Sequence, residues 1–383
     1  MRPRCSDWLR PEVTAARCHV ACPRASLTTP FPAPICDAWR MRSIVIDRPG
    51  GYEVLRIVDH RPAPEPGPGQ VRIRCAACGV NYADSIIRMG LYASAKQLHG
   101  YPITPGFEVS GTIDAVGAGV DPARIGQAVL ALTLFGGYAE QVVVDQQAAF
   151  AVPKGIALVE AATLPTVFLT AWFMAHQLMR PRPGQRWLVH SAAGGVGSAL
   201  VQLGRLVGCE VVAVVGAEHK RAYALAQGAS EVIVKSREPL WPTARRHAPG
   251  GYHAIFDANG VSTLGQSYRH LAPTGVLAVY GFHSMLPHNG RLNWLRLVWD
   301  WLRTPRFNPL DMTQSNRSVV AANLSFLQQE SELLIEGMHW LLQRFEHGQL
   351  RALPVETFKL DLAAAAQARI ESGLSVGKLA LIP

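Results

Sequence analysis

Trp187-Leu-Val-His-Ser-Ala-Ala-Gly-Gly-Val-Gly-Ser198 is the stretch whose reading decides the fold. Trp187 to His190 is a short apolar run, Ser191 to Gly197 is almost entirely small residues, and Ser198 to Val207 carries apolar residues at helical spacing. That order predicts a strand, a tight turn and a helix. Gly208 closes the helix, and the run from Glu210 to Val215 is apolar after its first residue, the pattern of a parallel strand covered on both faces. A βαβ unit results.

A turn this small has a physical use. The pyrophosphate of a dinucleotide must sit against backbone N–H groups at the start of a helix, where the helix dipole favours negative charge, and a Cβ would hold it away. Gly194, Gly195 and Gly197 are therefore candidates for the tight turn, the close approach of the phosphate and the packing of helix on strand. Ala193 and Val196, between and beside them, complete the expected cofactor-binding turn.

The rest of the chain frames this unit. At 383 residues, 49% hydrophobic and 17% charged, it is long and apolar enough for two domains with real cores. No run reaches the ~18 apolar residues of a membrane-spanning helix. A soluble protein is expected, with the cytoplasm as its location. The formal charge of +9 is spread along the chain without a basic block or a nucleic-acid motif, which argues against nucleic-acid binding.

Residues 1–40 stand apart: they hold Cys5, Cys18, Cys22 and Cys36, several prolines and no apolar periodicity. A disordered extension is expected. Its arginines resemble those of a transit peptide, Asp7, Glu12 and the prolines argue against an amphipathic helix, and Met41 is an alternative natural start. From Met41 to about Pro153, short apolar runs (Ser43 to Ile46, Val54 to Val58, Val71 to Arg74, Val109 to Val116, Ala128 to Leu132, Glu140 to Val144) alternate with glycine and proline, predicting a compact barrel-like β domain. Pro165 to Leu178 reads as a long apolar helix leading into the nucleotide domain. Glu231 to Val234, Ala254 to Asp257 and Gly275 to Tyr280 read as further parallel strands of a doubly wound sheet. Glu332 to Gln343 and Leu362 to Ile370 read as helices, and Gly377 to Ile382 as a closing strand returning to the first domain.

Cys78-Gly-Val-Asn-Tyr-Ala-Asp84, Arg88-Met-Gly-Leu-Tyr92, Thr104-Pro-Gly-Phe-Glu108, Ser191-Ala-Ala-Gly-Gly-Val-Gly197 and Gly377-Lys378 occur in this order. In them the chain resembles the medium-chain dehydrogenase/reductase superfamily, in its zinc-independent quinone oxidoreductase (zeta-crystallin-like) branch. Asn293-Trp-Leu-Arg-Leu-Val-Trp-Asp-Trp301 and Gln314-Ser-Asn-Arg-Ser318 resemble the vesicle amine transport protein group within it. The resemblance implies an α/β fold: a GroES-like β-rich catalytic domain over 41–162, a Rossmann doubly wound parallel sheet over 163–325, and a C-terminal return to the catalytic domain over 326–383. A homodimer is the expected assembly.

The resemblance also implies what is missing. Zinc-dependent members carry a cysteine where this chain has Asn81 and a histidine where it has Phe107, and neither amide nor phenyl replaces those ligands. No cysteine lies between Gly106 and Leu164, so the four-cysteine structural zinc lobe is absent too, and no metal is expected. Cys75 and Cys78 read better as buried thiols than as ligands. Without a Lewis acid, alkoxide stabilisation is lost, whereas hydride transfer to an activated acceptor needs none. Quinones and α,β-unsaturated carbonyls are such acceptors.

The resemblance makes Asn81 and Tyr92 the catalytic candidates: Asn81 beside the nicotinamide, Tyr92 as a proton donor. A turn-forming asparagine and a packed aromatic are the bland alternatives. Asp84 and Arg88, at i and i+4, read as a helical ion pair, and Glu108 as a structural acid. For the cofactor, the second strand ends in Gly216-Ala217 without an acid at its tip, and Lys220 matches the lysine that quinone reductases set on the 2′-phosphate, so NADPH is favoured. Glu218 could still reach a ribose. Lys235 either adds a second cation or faces solvent. Thr170 matches the family's threonine beside the nicotinamide, or is an ordinary helix residue. Asn259 and Gly260, and Gly281, lie where strands end, and Asn316 and Arg317 are candidate cofactor contacts from a loop.

Ser284 to Asn316 carries Trp294, Trp299 and Trp301 among arginines, a spacing that fits an amphipathic helix lining the substrate entrance, touching a second subunit, lying on a membrane or packing in the core. Two functions of different classes follow: an NADPH-dependent reductase of quinones or enones, and an NADPH-binding protein with little turnover that attaches to a membrane or partner. An enoyl-thioester reductase is a third.

Overall fold

In the computed structural model the helix of the deciding stretch starts a turn earlier than its spacing predicts: it runs Gly195–Leu206, with Gly194 as its N-cap. Gly195 and Gly197 are thus inside the helix's first turn. A Cβ on Gly197 would stand 2.4 Å from the Ser191 carbonyl oxygen, so only glycine lets the first turn lie on the end of the preceding strand.

The structure describes residues 40–285 and 293–383. The expectations for 1–39 lie outside the described residues, as does the part of the Trp-rich segment over 286–292. In chain order the first elements are β1 (Arg40–Val45), β2 (Arg56–Pro62), β3 (Gln70–Val80), α1 (Tyr82–Arg88), α2 (Ala93–Leu98), β4 (Glu108–Val116), β5 (Ala128–Leu132), β6 (Gln141–Asp145) and β7 (Ala149–Ala151). The nucleotide half follows: α3 (Leu158–Ala161), α4 (Pro165–Trp172), β8 (Arg186–Val189), α5 (Gly195–Leu206), β9 (Glu210–Val215), α6 (Arg221–Gln227), β10 (Glu231–Val234), α7 (Leu240–His247), β11 (Tyr252–Asp257), α8 (Leu264–Arg269) and β12 (Leu271–Val279). The chain ends with α9 (Trp294–Arg303), α10 (Pro309–Ser315), β13 (Ser318–Ala321), α11 (Ser331–Glu346), β14 (Val355–Lys359), α12 (Ala363–Glu371) and β15 (Lys378–Ile382). The helix expected over Pro165 to Leu178 is α4 continued by a π-helical turn over Phe173–Gln177.

Six strands form one sheet in the order β10-β9-β8-β11-β12-β13. Every pair is parallel, so the sheet is doubly wound about β8 and the strands point their carboxyl ends to one edge. Trp187, Val189, Val211, Ala213 and Phe256 join α4, α5 and α11 in its larger core. The second sheet has seven strands, β14-β15-β3-β4-β5-β7 with β6 beside β3. β15 is antiparallel to β3, so the last strand of the chain sits in the β-rich body. α11, which the sequence places in that return segment, packs instead with the nucleotide core: a Cβ on Gly337 would meet the Trp172 ring of α4 at 2.6 Å.

Candidate active site

β3 ends at Val80 and delivers Asn81 to the N-cap of α1. The capping bond is made by Asp84, whose carboxylate accepts from the Asn81 N–H at 2.8 Å. The Asn81 side chain is thereby left for other work. Its Nδ2 donates to Glu108 Oε1 at 2.8 Å, and its Oδ1 accepts from Lys378 Nζ at 2.7 Å. Lys378 also donates to Glu108 Oε1 at 2.9 Å and to the Val80 carbonyl at 2.8 Å, while Glu108 Oε2 accepts from Thr166 N at 2.7 Å at the start of α4. Asn81, Glu108 and Lys378 are all buried. Glu108 is thus a structural acid, as the sequence suggests, but one bound to the candidate catalytic amide. Lys378 was legible only as part of a motif.

The helical ion pair expected between Asp84 and Arg88 does not form. Arg88 Nη2 donates instead to Glu371 of α12 at 2.7 Å, both side chains being fully buried, and Nε donates to Gln367 at 2.8 Å. Asp84 accepts from Gly106 N at 3.0 Å and from the Tyr138 hydroxyl at 2.9 Å. Burial pushes its carboxyl up to about 7 against those donors and the Lys378 charge.

Tyr92 caps α2, its ring edge-on to Phe107 with centroids 5.7 Å apart. Its hydroxyl donates to Asn323 Oδ1 at 3.0 Å and lies 3.1 Å from Ser325 Oγ, which in turn is 2.8 Å from Ser94 Oγ. Burial holds the Tyr92 hydroxyl protonated beyond its usual range. Asn323 and Ser325 carry no motif, and sequence reasoning passed over both.

The nucleotide turn lies against the same strand as Lys378. Ala193 O accepts from Gly377 N at 2.9 Å, and a Cβ on Gly195 would stand 2.7 Å from Val167 and 2.9 Å from the Lys378 stem. A Cβ on Gly194 would meet only the Ser191 carbonyl, at 3.3 Å, which leaves this N-cap the open position of the three. Val196 is half-buried against the core. Ser191 takes a left-handed φ of 52°, so the strain of the turn sits on a non-glycine residue just past the end of β8. Its hydroxyl donates to Asn259 Oδ1 at 3.2 Å. Asn259 and Gly260 are held by Asp257, which accepts from both backbone N–H groups at 2.8 and 3.2 Å. Gly281 follows β12 at the same carboxyl edge, within reach of the Ala258 backbone. Thr170 spends its hydroxyl on the Thr166 carbonyl at 2.6 Å, one turn back in α4, whereas the buried Thr166 Oγ1 has no partner among the described residues.

Asn316 does not join this group. It caps α10 with φ 49°, and its carbonyl accepts from Thr274 N at 2.6 Å, two residues before Val276 pairs with Ser318. Because the strands are parallel, that is the amino-terminal edge of the sheet, away from the turn at Gly194; Arg317 shares this place. Asn323, beyond the other end of β13, is the asparagine of this loop that meets a candidate residue, accepting from the Tyr92 hydroxyl.

At the tip of β9, Gly216 has no atom within 4 Å of its would-be Cβ, so the strand end is open. Lys220 is buried beside it and donates to the Gly373 and Ser375 carbonyls at 2.6 and 2.9 Å. Burial first, then Arg369 and Lys235, lower its ammonium below the usual lysine range, which places a second cation close by. Glu218 is bound to Arg221 at 2.9 Å and to Arg237 at 4.0 Å.

The sequence shows no histidine set with a serine or cysteine in a hydrolase pattern, yet His190 Nε2 lies 3.2 Å from Ser267 Oγ. The same hydroxyl donates to Asp257 at 2.8 Å, and Asp257 stands 3.8 Å from that same imidazole nitrogen. A nucleophilic triad needs the acid on the opposite ring nitrogen and a reachable hydroxyl. All three side chains are buried, and the cluster fixes the loop carrying Asn259.

These features, a β-rich body and a doubly wound parallel sheet with a small-residue turn at its carboxyl edge, define a fold of the dehydrogenase/reductase type. Residues 67–154 match the alcohol dehydrogenase GroES-like domain family and residues 195–325 match the zinc-binding dehydrogenase family. The chain is 32% identical over 349 residues to the zebrafish (Danio rerio) synaptic vesicle membrane protein VAT-1 homolog, covering 91% of this chain and 71% of that protein. It is 31% identical to a 2-haloacrylate reductase of Burkholderia sp., covering 83% and 92% of the two chains. The solved structure of Escherichia coli quinone oxidoreductase complexed with NADPH superposes with TM-score 0.76 at 26% identity, covering 90% of this chain and all (100%) of that one. The chain belongs to the medium-chain dehydrogenase/reductase superfamily, in its quinone oxidoreductase-like branch together with the VAT-1 homologues. The zinc in the family's description does not fit the residues present: Asn81 is tied to Lys378 and Glu108, and the Phe107 ring packs between Tyr92 and Phe135.

Proposed function

We propose that this protein is a zinc-independent, NADPH-dependent reductase that delivers hydride to a quinone or an α,β-unsaturated carbonyl. The observation that carries the reading is the Asn81 amide, held by Lys378 and Glu108 beside the nucleotide turn with its second Nδ2 hydrogen unclaimed by any described residue. The fit of a dinucleotide is supported by the open N-cap at Gly194, the unpartnered Thr166 hydroxyl and the open tip at Gly216. Ala193 to Gly197 would cradle the pyrophosphate, Asn259 and Gly281 would flank it, and Thr170 would lie beside the nicotinamide. Lys220, with Lys235 behind it, would meet the 2′-phosphate, while Glu218, engaged by two arginines, would not compete for a ribose.

When bound, NADPH supplies one hydrogen with two electrons to the acceptor carbon or oxygen. The oxygen that gains charge takes a hydrogen bond from Asn81 Nδ2, in a pocket where a fixed donor is worth far more than in water. Tyr92, kept protonated by burial, hands the balancing proton to the reduced acceptor, Ser325 and Ser94 lying behind its hydroxyl. Quinone, NADPH and one proton thus give hydroquinone and NADP⁺. The test is oxidation of NADPH against NADH over a panel of ortho- and para-quinones, enones and an enoyl thioester. Turnover with quinone or enone is expected, reduced ~100-fold in Asn81→Ala; no turnover with any acceptor overturns the reading, and preference for the thioester transfers it to enoyl-thioester reduction.

A second reading, attachment of a nucleotide-binding protein to an anionic bilayer, is favoured by α9. Trp294, Leu295, Val298, Trp299 and Leu302 form one stripe and are exposed, Leu295 to 86%, whereas Asp300 on the other side is buried. Arg296 and Arg303, on the same helix, border that stripe. No described helix is long and apolar enough to cross a membrane. Co-sedimentation with phosphatidylserine vesicles that is lost in Trp294→Ala/Trp299→Ala supports this reading, and equal sedimentation of both proteins removes it. A homodimer is proposed on the unpaired outer edge of β13 among the described residues, to be checked by light scattering.

A further inference from the structure

We propose that Lys378 is a positioning residue for hydride transfer, acting through Asn81: its ammonium polarises the amide and fixes the direction of the remaining N–H. This rests on the reading of Asn81 as the donor to the acceptor oxygen. Lys378 Nζ has three hydrogens, and they go to Val80 O at 2.8 Å, Asn81 Oδ1 at 2.7 Å and Glu108 Oε1 at 2.9 Å. No rotational freedom remains. A cation on the amide oxygen draws electron density from the amide nitrogen, and a charge-assisted bond is about twice as strong as a neutral one, so Nδ2–H becomes the better donor.

Nδ2 also gives one hydrogen to Glu108 Oε1, so the amide plane is fixed by both partners. The same lysine touches the nucleotide turn. Its stem lies where a Gly195 Cβ would be 2.9 Å away, and the residue before it, Gly377, donates to Ala193 O at 2.9 Å. One residue therefore spans the turn proposed for the cofactor and the amide proposed for the acceptor. A buried ion pair is weak evidence for stability, since its desolvation offsets much of its attraction. A role in setting one geometry accounts better for keeping Lys378 and Glu108 in this seam.

The experiment is a kinetic double-mutant cycle with the full chain, NADPH and a quinone that the wild type reduces. Lys378→Met is expected to lower kcat ~10-fold or more while leaving KM for NADPH within about twofold, and to cause no further loss in an Asn81→Ala background. Because Lys378→Met leaves the Glu108 carboxylate buried and unpaired, the doubly neutral Lys378→Met/Glu108→Gln protein is assayed beside it, with the same fall in kcat expected. Full kcat in the doubly neutral protein, or a loss that multiplies with that of Asn81→Ala, overturns the inference. If Asn81→Ala itself keeps full turnover, the reading of Asn81 has failed and Lys378 falls with it; if only Asn81→Ala loses turnover, Lys378 alone is refuted.

Discussion

The residues that matter most here are polar groups denied water. Asp84 is the clearest case, because its carboxyl titrates near 7 where an aspartate ordinarily titrates at 3.8. A carboxyl whose folded value lies above its unfolded value keeps a proton that the unfolded chain has released. Its contribution to stability is therefore fully present below about 3.8 and is lost as pH rises through about 7. We expect melting temperature to decline over that window, and the decline to be shallower in Asp84→Asn, as read by circular dichroism; equal slopes would show that other groups set it. Lys220 makes a second prediction: Lys220→Ala should weaken NADPH binding ~10-fold while leaving NADH binding within about twofold, and it should loosen the loop at Gly373 and Ser375 that the ammonium holds. Fluorescence titration with both nucleotides decides this. Asn81 could be picked out from sequence because its motif is local. Its partners could not, because Glu108 and Lys378 lie 27 and 297 residues away along the chain.

At the scale of elements, periodicity predicts that a segment is helical and leaves open which side faces in. α9 illustrates this: its apolar stripe is the natural candidate for core packing, yet Asp300 is the buried side and Trp299 is 59% exposed. Trp299→Ala should accordingly change unfolding free energy by no more than about 0.5 kcal/mol, whereas a core tryptophan would cost ~3–5 kcal/mol. Denaturant melts of the two proteins measure the difference. The first turn of α5 predicts the opposite sensitivity. Gly197→Ala would drive a methyl to 2.4 Å from the Ser191 carbonyl, so we expect a destabilisation of about 1–3 kcal/mol together with impaired NADPH binding, checked by melting and titration. The spacing sets the helix start at Ser198 and the structure at Gly195, because glycines read as turn residues although one is tolerated inside a helix wherever close packing demands it.

For the molecule as a whole, the joints are few and identifiable. Arg88 of α1 and Glu371 of α12 are fully buried and bonded at 2.7 Å, with the Arg88 guanidinium 4.4 Å above the Tyr52 ring, so the beginning and the end of the β-rich body are locked together. Arg88→Met would take the cation away from the buried Glu371 carboxylate, which keeps the Tyr52 hydroxyl at 2.7 Å, and should cost ~3–5 kcal/mol, seen as a lower denaturation midpoint with an unchanged dependence on denaturant. A change below about 1 kcal/mol would mean that the pair contributes little.

By itself the sequence determined the doubly wound sheet, the small-residue turn and the identity of the amide beside it, since these depend on apolar runs, glycine spacing and short motifs that act within a few residues. Tertiary structure alone decided that Asn316 falls at the amino-terminal edge while Asn323 meets Tyr92, that Arg88 pairs with Glu371 and not Asp84, and that Lys378 holds Asn81. Those choices depend on strand direction and on which distant segment buries against which, and a buried charge takes the partner that packing brings to it, not the nearest one along the chain.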